Sequence, residues 1–307
     1  MLYFNSIFRQ HVLKIMYYIL YALLFTISLL PLRVLYFLSD GMYALIYYII
    51  GYRKKVVMHN LNITFPEKSE KEKIRIAKNF YHKFIDSMIE TIKLLSASDA
   101  FFEKRFTGDW DMINKYYESG RTVQLHLGHT FNWEWGIMSL SKNVKFPLLI
   151  VYMPIANKAL NRLFYKIRSQ KGAHMLSALN MAKDLMPYRR TNNCLGFVAD
   201  QNPGYALHHA KWFYFFKKKT PFTIGPAKNA IRNNSIVLFS FIERQKRGYY
   251  NMTFELTEEN PINTNEIELT KKFITYLEKV ISNNPEMYLW THRRWKHEWK
   301  EEYGFEE

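Results

Sequence analysis

From about residue 100 onward, short apolar runs typical of strands alternate with longer stretches of helical periodicity. The strand-like runs are residues 122–127, 146–152, 194–199, 235–242 and 249–256. The helical stretches are residues 133–141, 158–170, 178–188, 226–233 and 266–283. This alternation predicts an α/β domain in which helices flank a mostly parallel central sheet. Ligands of such sheets bind beyond the carboxyl ends of the strands, so residues that follow a strand are the first candidates for a site.

Two apolar runs occupy the amino-terminal end of the chain. Residues 15–32 carry no charge, and residues 34–50 form a second run, interrupted at Asp40 and Gly41. Basic residues flank both runs, and no small-residue cleavage site follows the first. We therefore expect a retained hydrophobic membrane-anchoring helix or hairpin over residues 1–52 and a separate domain over residues 53–307 that faces the cytoplasm. A single span, an interfacial helix and a buried hairpin of a soluble protein all remain open.

Composition narrows the choice of partners. The formal net charge is +16, which favours an anionic membrane surface, an acidic carrier protein or nucleic acid. The basic residues are spread along the chain and no nucleic-acid-binding motif is present, so nucleic acid is not expected. The single cysteine, Cys194, excludes an intrachain disulfide and a multi-cysteine metal site. Since Cys194 lies in an apolar run, we expect it to be buried and not to act as a nucleophile.

A histidine and a carboxylate lie close together just after the first strand-like run. His129 and Glu134 are five residues apart, a spacing that puts them about 140° apart on a helix and on opposite faces of a strand. They can meet only if the chain turns, with the histidine in a loop and the glutamate in the first helical turn. A carboxylate against one imidazole nitrogen sets the tautomer and supports the imidazolium, so the pair predicts a general base.

Other histidines offer weaker signals. His126 and His129 have an H-x2-H spacing, but no further ligands fit, so no metal site is predicted and His126 is expected to pack within its strand. His208 and His209 are expected to form a solvated loop pair.

Several short blocks carry a resemblance to a known family. They are residues 129–134, residues 152–154 with 157, 161, 168 and 172, residues 199–203, residues 212–225 and residues 288–296, preceded by residues 52–61. In this order they resemble the lipid A late-acyltransferase family, the lauroyl- and myristoyl-transferase type within the H-x4-D/E glycerolipid acyltransferase superfamily. The chain departs from the family pattern at Phe131 and Lys217, where glycine is common, which could reshape the acceptor pocket.

The resemblance implies a glycerolipid-acyltransferase-like fold and an acyltransferase of the bacterial inner membrane. Such an enzyme moves a fatty acyl chain from acyl carrier protein, or less favourably from acyl-CoA, to a hydroxyl of a lipid A precursor, with no other cofactor. His129 would act as the general base, oriented by Glu134. Direct attack without an acyl-enzyme is expected, because no Gly-x-Ser-x-Gly elbow occurs and Cys194 has no activating neighbour.

The resemblance also implies substrate-binding residues. Arg168 would contact the lipid phosphate or the developing oxyanion, and Asn132 would lie at the substrate. Asp200 and Gln201 would either contact substrate or close the loop through hydrogen bonds, the second being favoured.

Two alternatives remain open. Within the same chemistry, the acceptor could be a lysophospholipid, an aminolipid or a glycosylated phosphoinositide. In a different class, the chain could be a basic membrane-tethered binding or scaffold protein, whose function would not depend on His129.

Overall fold

A computed structural model describes residues 2–204, 207 and 210–306, with side chains described from Val12 onward. The expected loop pair of His208 and His209 lies outside the described residues. The helices are α1 (Leu2–Leu29), α2 (Leu32–Ala44), α3 (Lys54–Thr64), α4 (Glu70–Lys93), α5 (Asp99–Glu103), α6 (Asp111–Asn114), α7 (Trp133–Asn143), α8 (Lys158–Ser169), α9 (Met181–Leu185), α10 (Gly225–Arg232) and α11 (Glu266–Asn283). A π-helical turn, Leu45–Ile50, extends α2.

Strands alternate with these helices. They are β1 (Phe106–Gly108), β2 (Val123–Leu127), β3 (Leu148–Tyr152), β4 (His174–Ser177), β5 (Cys194–Val198), β6 (Ala210–Phe215), β7 (Lys218–Thr223), β8 (Ile236–Lys246) and β9 (Tyr249–Glu258). A seven-stranded sheet has the order β1-β9-β8-β2-β5-β3-β4, and its neighbours are parallel except for β8 and β9. The predicted α/β fold with a mostly parallel sheet is therefore confirmed.

Some elements differ from the sequence expectation. The short strands β1 and β4 and the antiparallel hairpin of β6 and β7 were not predicted. The helix expected over residues 178–188 is shorter: α9 ends at Leu185, and a 3-10 turn that contains Pro187 follows it. Proline has no backbone N–H to donate to the preceding turn, so it does not continue an α-helix there.

Helices cover both faces of the sheet. On one face, His126 of β2 contacts Phe273 of α11, and Gln124 donates to the carbonyl of Pro226 in α10. On the other face, Trp135 of α7 packs against Tyr250 of β9. Every residue of β2 is buried, as expected of a central parallel strand that is covered on both sides. The site at the carboxyl end of β2 therefore rests on a rigid core.

The amino-terminal helices pack on the domain. α1 lies against α8 and α4, and α2 lies against α4. Within the described residues, one segment is long and apolar enough to cross a membrane, Val12–Leu29 of α1. The segment Leu32–Ile50 meets the same test only together with α3, from which it is bent by 89°.

Candidate active site

Strand register alone brings a carboxylate to His129. β2 and β5 are parallel neighbours in which Leu127 pairs with Val198. The pairing extends past the strands, because the Ala199 N–H donates to the Leu127 carbonyl at 3.2 Å. The second residue after β2, His129, therefore lies opposite the second residue after β5, Asp200.

Asp200 holds His129 through both of its oxygens. Its Oδ1 lies 2.5 Å from His129 Nδ1, and its Oδ2 accepts from the His129 backbone N–H at 2.9 Å. An ionised carboxylate can only accept, so Nδ1 carries a hydrogen, and in the neutral ring the lone pair is then on Nε2. No described residue forms a hydrogen bond with Nε2, and 22% of the His129 side chain is exposed. Nε2 is thus free to accept a proton from a substrate.

The surroundings favour the ionised form of Asp200. Its complete burial opposes ionisation, but the charge attraction and hydrogen bonds of His129 outweigh that cost and hold the pKa of Asp200 below its ordinary value. A buried carboxylate that stays ionised can stabilise an imidazolium on His129, as a general base requires.

The predicted pairing of His129 with Glu134 is corrected by the geometry. The chain does turn as expected, with His129 in the loop and Glu134 in the first turn of α7, but the glutamate faces α8. Arg168 Nε donates to Glu134 Oε2 at 2.9 Å and Arg168 Nη2 donates to Oε1 at 2.6 Å. Trp133 Nε1 donates to the same Oε1 at 3.0 Å. These three donors satisfy a carboxylate that is almost fully buried, and they leave it no part in orienting His129.

Arg168 is likewise committed to this pair. Burial opposes its charge, but the hydrogen bonds and attraction of Glu134 outweigh burial and raise the pKa of Arg168. The Trp133 ring lies between the pair and the site, 5.7 Å from the His129 ring. Arg168 is therefore separated from His129 by the Trp133 side chain, and its ion pair with Glu134 connects α8 to α7.

Asn132 does not present a free polar atom to a substrate. It is the N-cap of α7, where its Oδ1 accepts from the Trp135 N–H, and its Nδ2 donates to Glu90 Oε2 at 2.9 Å. Its side chain is buried. The expected substrate contact at Asn132 is therefore replaced by a capping role that sets where α7 begins.

Gln201 is the predicted binding residue whose side chain none of the described residues engages. It is half-buried in the loop after β5, and its amide has no hydrogen-bond partner in the described part of the chain. The next residue, Asn202, is tied down: its backbone N–H and its Nδ2 both lie within hydrogen-bond distance of His292 Nε2, at 3.2 and 2.8 Å. Burial lowers the pKa of His292 to about 4, so its ring is neutral and can accept.

The carboxyl-terminal segment, residues 288–296, is hydrogen-bonded to the loop that carries His129. The Leu289 N–H donates to the His129 carbonyl at 3.0 Å. Asn60 of α3 in turn donates through Nδ2 to the carbonyls of Trp290 and His292, both at 2.8 Å. The block of residues 288–296 therefore holds the His129 loop in place through hydrogen bonds to its backbone.

A residue that departs from the family pattern, Phe131, is part of the core. Its ring is fully buried and lies 5.8 Å from Phe80 and 5.9 Å from Phe84, both in α4. It therefore does not narrow an acceptor pocket. The other departure, Lys217, lines a groove of about 1170 Å³ between the β6–β7 hairpin and α11, and no predicted site residue lines that groove.

Two buried residues behave as predicted. His126 lies in β2, where burial lowers its pKa to about 3, so it packs as a neutral ring. Cys194 is fully buried in β5, and burial raises the pKa of its thiol to about 12. A thiol with so high a pKa stays protonated at neutral pH and is a poor nucleophile.

Glu90 of α4, which sequence reasoning missed, links the site to the amino-terminal helix α2. It is fully buried and accepts from Asn132, from Tyr250 Oη at 2.6 Å and from Tyr36 Oη of α2 at 2.6 Å. Its backbone carbonyl accepts from Trp135 Nε1 at 2.9 Å. The sequence signal for Glu90 is a glutamate among the residues that form the buried face of α4.

We expect Glu90→Ala to lower the free energy of unfolding by roughly 3 to 5 kcal/mol, because two buried donors and one half-buried donor lose their acceptor. Glu90→Gln, which keeps the volume and one acceptor oxygen, should lose less than half as much. Chemical and thermal unfolding of the full chain in detergent measure both. Glu103→Ala is the matched control, since Glu103 pairs with Lys142 on the surface, and it should stay within about 0.5 kcal/mol of the parent. Equal losses for the alanine variants at residues 90 and 103 would contradict the linking role.

Comparison with known proteins identifies the family. A family model described as bacterial lipid A biosynthesis acyltransferase matches residues 5–297. The chain is 22% identical over 271 residues to the lipid A biosynthesis palmitoleoyltransferase of Escherichia coli (strain K12), covering 87% of this chain and 86% of that protein. It is similar to the same extent to the lipid A biosynthesis acyltransferase of Shigella flexneri. Because the family model covers nearly the whole chain, the protein belongs to the bacterial lipid A biosynthesis acyltransferase family and is an acyltransferase.

Proposed function

We propose that the protein transfers a fatty acyl chain from a thioester to a hydroxyl of a lipid A precursor, with His129 as the general base and Asp200 as its orienting partner. The observation that carries this proposal is the hydrogen bond from His129 Nδ1 to a buried, ionised carboxylate, which leaves Nε2 free. Family membership supports the acyl transfer and the class of acceptor.

In this mechanism His129 Nε2 takes the proton of the acceptor hydroxyl while that oxygen attacks the thioester carbonyl carbon. The imidazolium that forms is stabilised by Asp200 through Nδ1. The tetrahedral intermediate then collapses: the C–O bond remains, the C–S bond breaks, and the imidazolium returns the proton to the leaving sulfur. The protein forms no covalent bond to the acyl group, which agrees with the burial of Cys194.

The polar side chains around the base would supply positioning. Gln201 lies beside Asp200 and has no hydrogen-bond partner among the described residues, and we assign it to hydrogen-bond the acceptor or the developing oxyanion. Glu134 and Arg168 would hold α7 and α8 together, so that Trp133 supports the half-buried His129 ring.

We propose acyl carrier protein as the donor and acyl-CoA as the weaker alternative. The net charge of +16 favours an acidic carrier, which is held at the enzyme by attraction as well as by its acyl chain. The same charge and the apolar helix α1 support placement at the inner membrane, with the catalytic domain on the cytoplasmic side, where basic flanks and anionic headgroups attract each other.

Reconstitution of the reaction tests the proposal. Purified full-length protein, an acyl-carrier-protein thioester and a lipid A precursor should give a product whose mass increases by one acyl chain, and acyl-CoA should react more slowly. Mass spectrometry of lipids from a strain lacking the protein should show the same acyl chain missing. Acylation of a lysophospholipid with none of the lipid A precursor would contradict the acceptor assignment.

A further inference from the structure

The outward face of the amino-terminal helices is apolar and uncovered. Large apolar side chains are exposed along α1, α2 and the π-helical turn, and Phe37 and Ile49 are each 78% exposed. Representative positions are Ile15, Ile19, Leu23, Phe37, Ile49 and Ile50. A soluble surface does not carry an apolar face of this extent without something to cover it.

The opposite face of α1 lies along the domain over three helical turns. Tyr17 is buried, Leu20 and Leu24 pack against the core, and Ser28 is fully buried, a helical spacing that keeps one side of α1 on the protein. The carboxyl end of α1 is also fixed, because Lys93 Nζ donates to the Ser28 carbonyl at 2.7 Å. If α1 crossed a bilayer in this packing, the charged side chains of α8 that lie beside it would enter the hydrocarbon.

Cations mark the line where α1 meets α8. Arg162 lies over the Tyr17 ring at 4.3 Å and Lys166 lies over the Tyr21 ring at 4.1 Å. Both cations are exposed and stand one turn apart on α8. Tyrosine, arginine and lysine are the residues typical of the headgroup layer of a membrane. The composition of the seam between α1 and α8 is thus that of a headgroup layer, and the exposed apolar residues Ile19 and Leu23 lie beside it on α1.

We propose that α1 and α2 lie in the plane of one leaflet without crossing the bilayer, and that Arg162 and Lys166 bind the phosphate groups of anionic lipids. This inference rests on the proposed function only for membrane association. α8 carries both these cations and Arg168, which braces the site through Glu134. In-plane binding thus holds His129 near headgroup depth, where the hydroxyl groups of a lipid acceptor lie.

Depth measurement tests the orientation of α1. The single native cysteine, Cys194, is fully buried, so a fluorophore can be placed at Ile15→Cys, Ile19→Cys or Leu23→Cys in the full chain. We expect nitroxide-labelled lipids to quench all three at the same shallow depth, and Lys279→Cys on α11 to escape quenching. A spanning helix would separate the first and last labels by about 12 Å, since each residue rises about 1.5 Å, and that result would overturn the inference.

The outcomes separate this inference from the proposed function. If unequal depths accompany normal acyl transfer, only the in-plane orientation is wrong. If none of the three labels is quenched and the protein does not float with vesicles, membrane association itself fails, whatever the result of the acyl-transfer assay.

Charge substitution tests the lipid contact. Arg162→Gln with Lys166→Gln should weaken flotation with phosphatidylglycerol vesicles by tenfold or more, and should leave binding to phosphatidylcholine vesicles unchanged. Lys228→Gln with Lys279→Gln removes the same charge from exposed positions on α10 and α11 and is the matched control. Equal losses for the two double variants would show that net charge alone is responsible, and would overturn the assigned contact.

Discussion

His129→Ala is expected to lower kcat for acyl transfer by about 10²- to 10⁴-fold, the usual contribution of a positioned general base. KM for the lipid acceptor should change little, because the base removes the hydroxyl proton during the chemical step and does not contact the acyl chains or sugars of the acceptor. Some stability should be lost as well, because the buried Asp200 keeps only the backbone N–H of residue 129 as a donor, so unfolding is measured beside kcat. Steady-state kinetics with a fixed thioester donor measure the effect.

His59→Ala is the matched control for that experiment. His59 is an exposed histidine on α3, so its loss removes the same kind of side chain without touching the site. Its kcat should equal that of the parent. A His129→Ala protein that is correctly folded and retains more than about a tenth of the parent kcat would exclude a general-base role.

The elements of the fold were largely readable from local pattern. The apolar runs that form β2, β3, β5, β8 and β9 and the amphipathic stretches that form α7, α8 and α11 stand out because each is long enough to show its period. β1 has only three residues and β4 only four, too few to show alternation. The hairpin of β6 and β7 lies largely within the family block of residues 212–225, where the local pattern does not show its strands.

The partner of His129 could not be read from spacing, because spacing reports only on neighbours along the chain. Asp200 is 71 residues away from His129 and reaches it because β2 and β5 are adjacent in the sheet. The sequence did place both residues at strand ends, so the order of the strands was the missing information. Glu134 occupies the predicted helical turn, but the position of α8, and with it Arg168, decided which way its side chain points.

Asp200→Asn should mainly lower kcat, whereas Glu134→Gln should mainly lower the free energy of unfolding. Comparing the two variants therefore decides which carboxylate orients His129. An asparagine amide at residue 200 can donate to His129 Nδ1 and so favours the tautomer with hydrogen on Nε2, which cannot accept the substrate proton. We expect kcat to fall roughly 10³-fold with little loss of stability.

Glu134→Gln leaves the tautomer of His129 intact but deprives the buried Arg168 of its charge partner. We expect a loss of about 3 kcal/mol in the free energy of unfolding and a fall in kcat of less than about tenfold for the folded protein.

A double variant separates stability from chemistry at the second position. Glu134→Gln with Arg168→Met removes both charges, so no buried cation is left unpaired, and it should recover part of the stability that Glu134→Gln loses. Unfolding in denaturant and kcat, both measured on the full chain, give the comparison. If Glu134 oriented His129, kcat would fall steeply in Glu134→Gln and would not recover in the double variant, while Asp200→Asn would remain active. The register of β2 and β5 argues for the reverse order, since it places Asp200, and not Glu134, within hydrogen-bond distance of the ring.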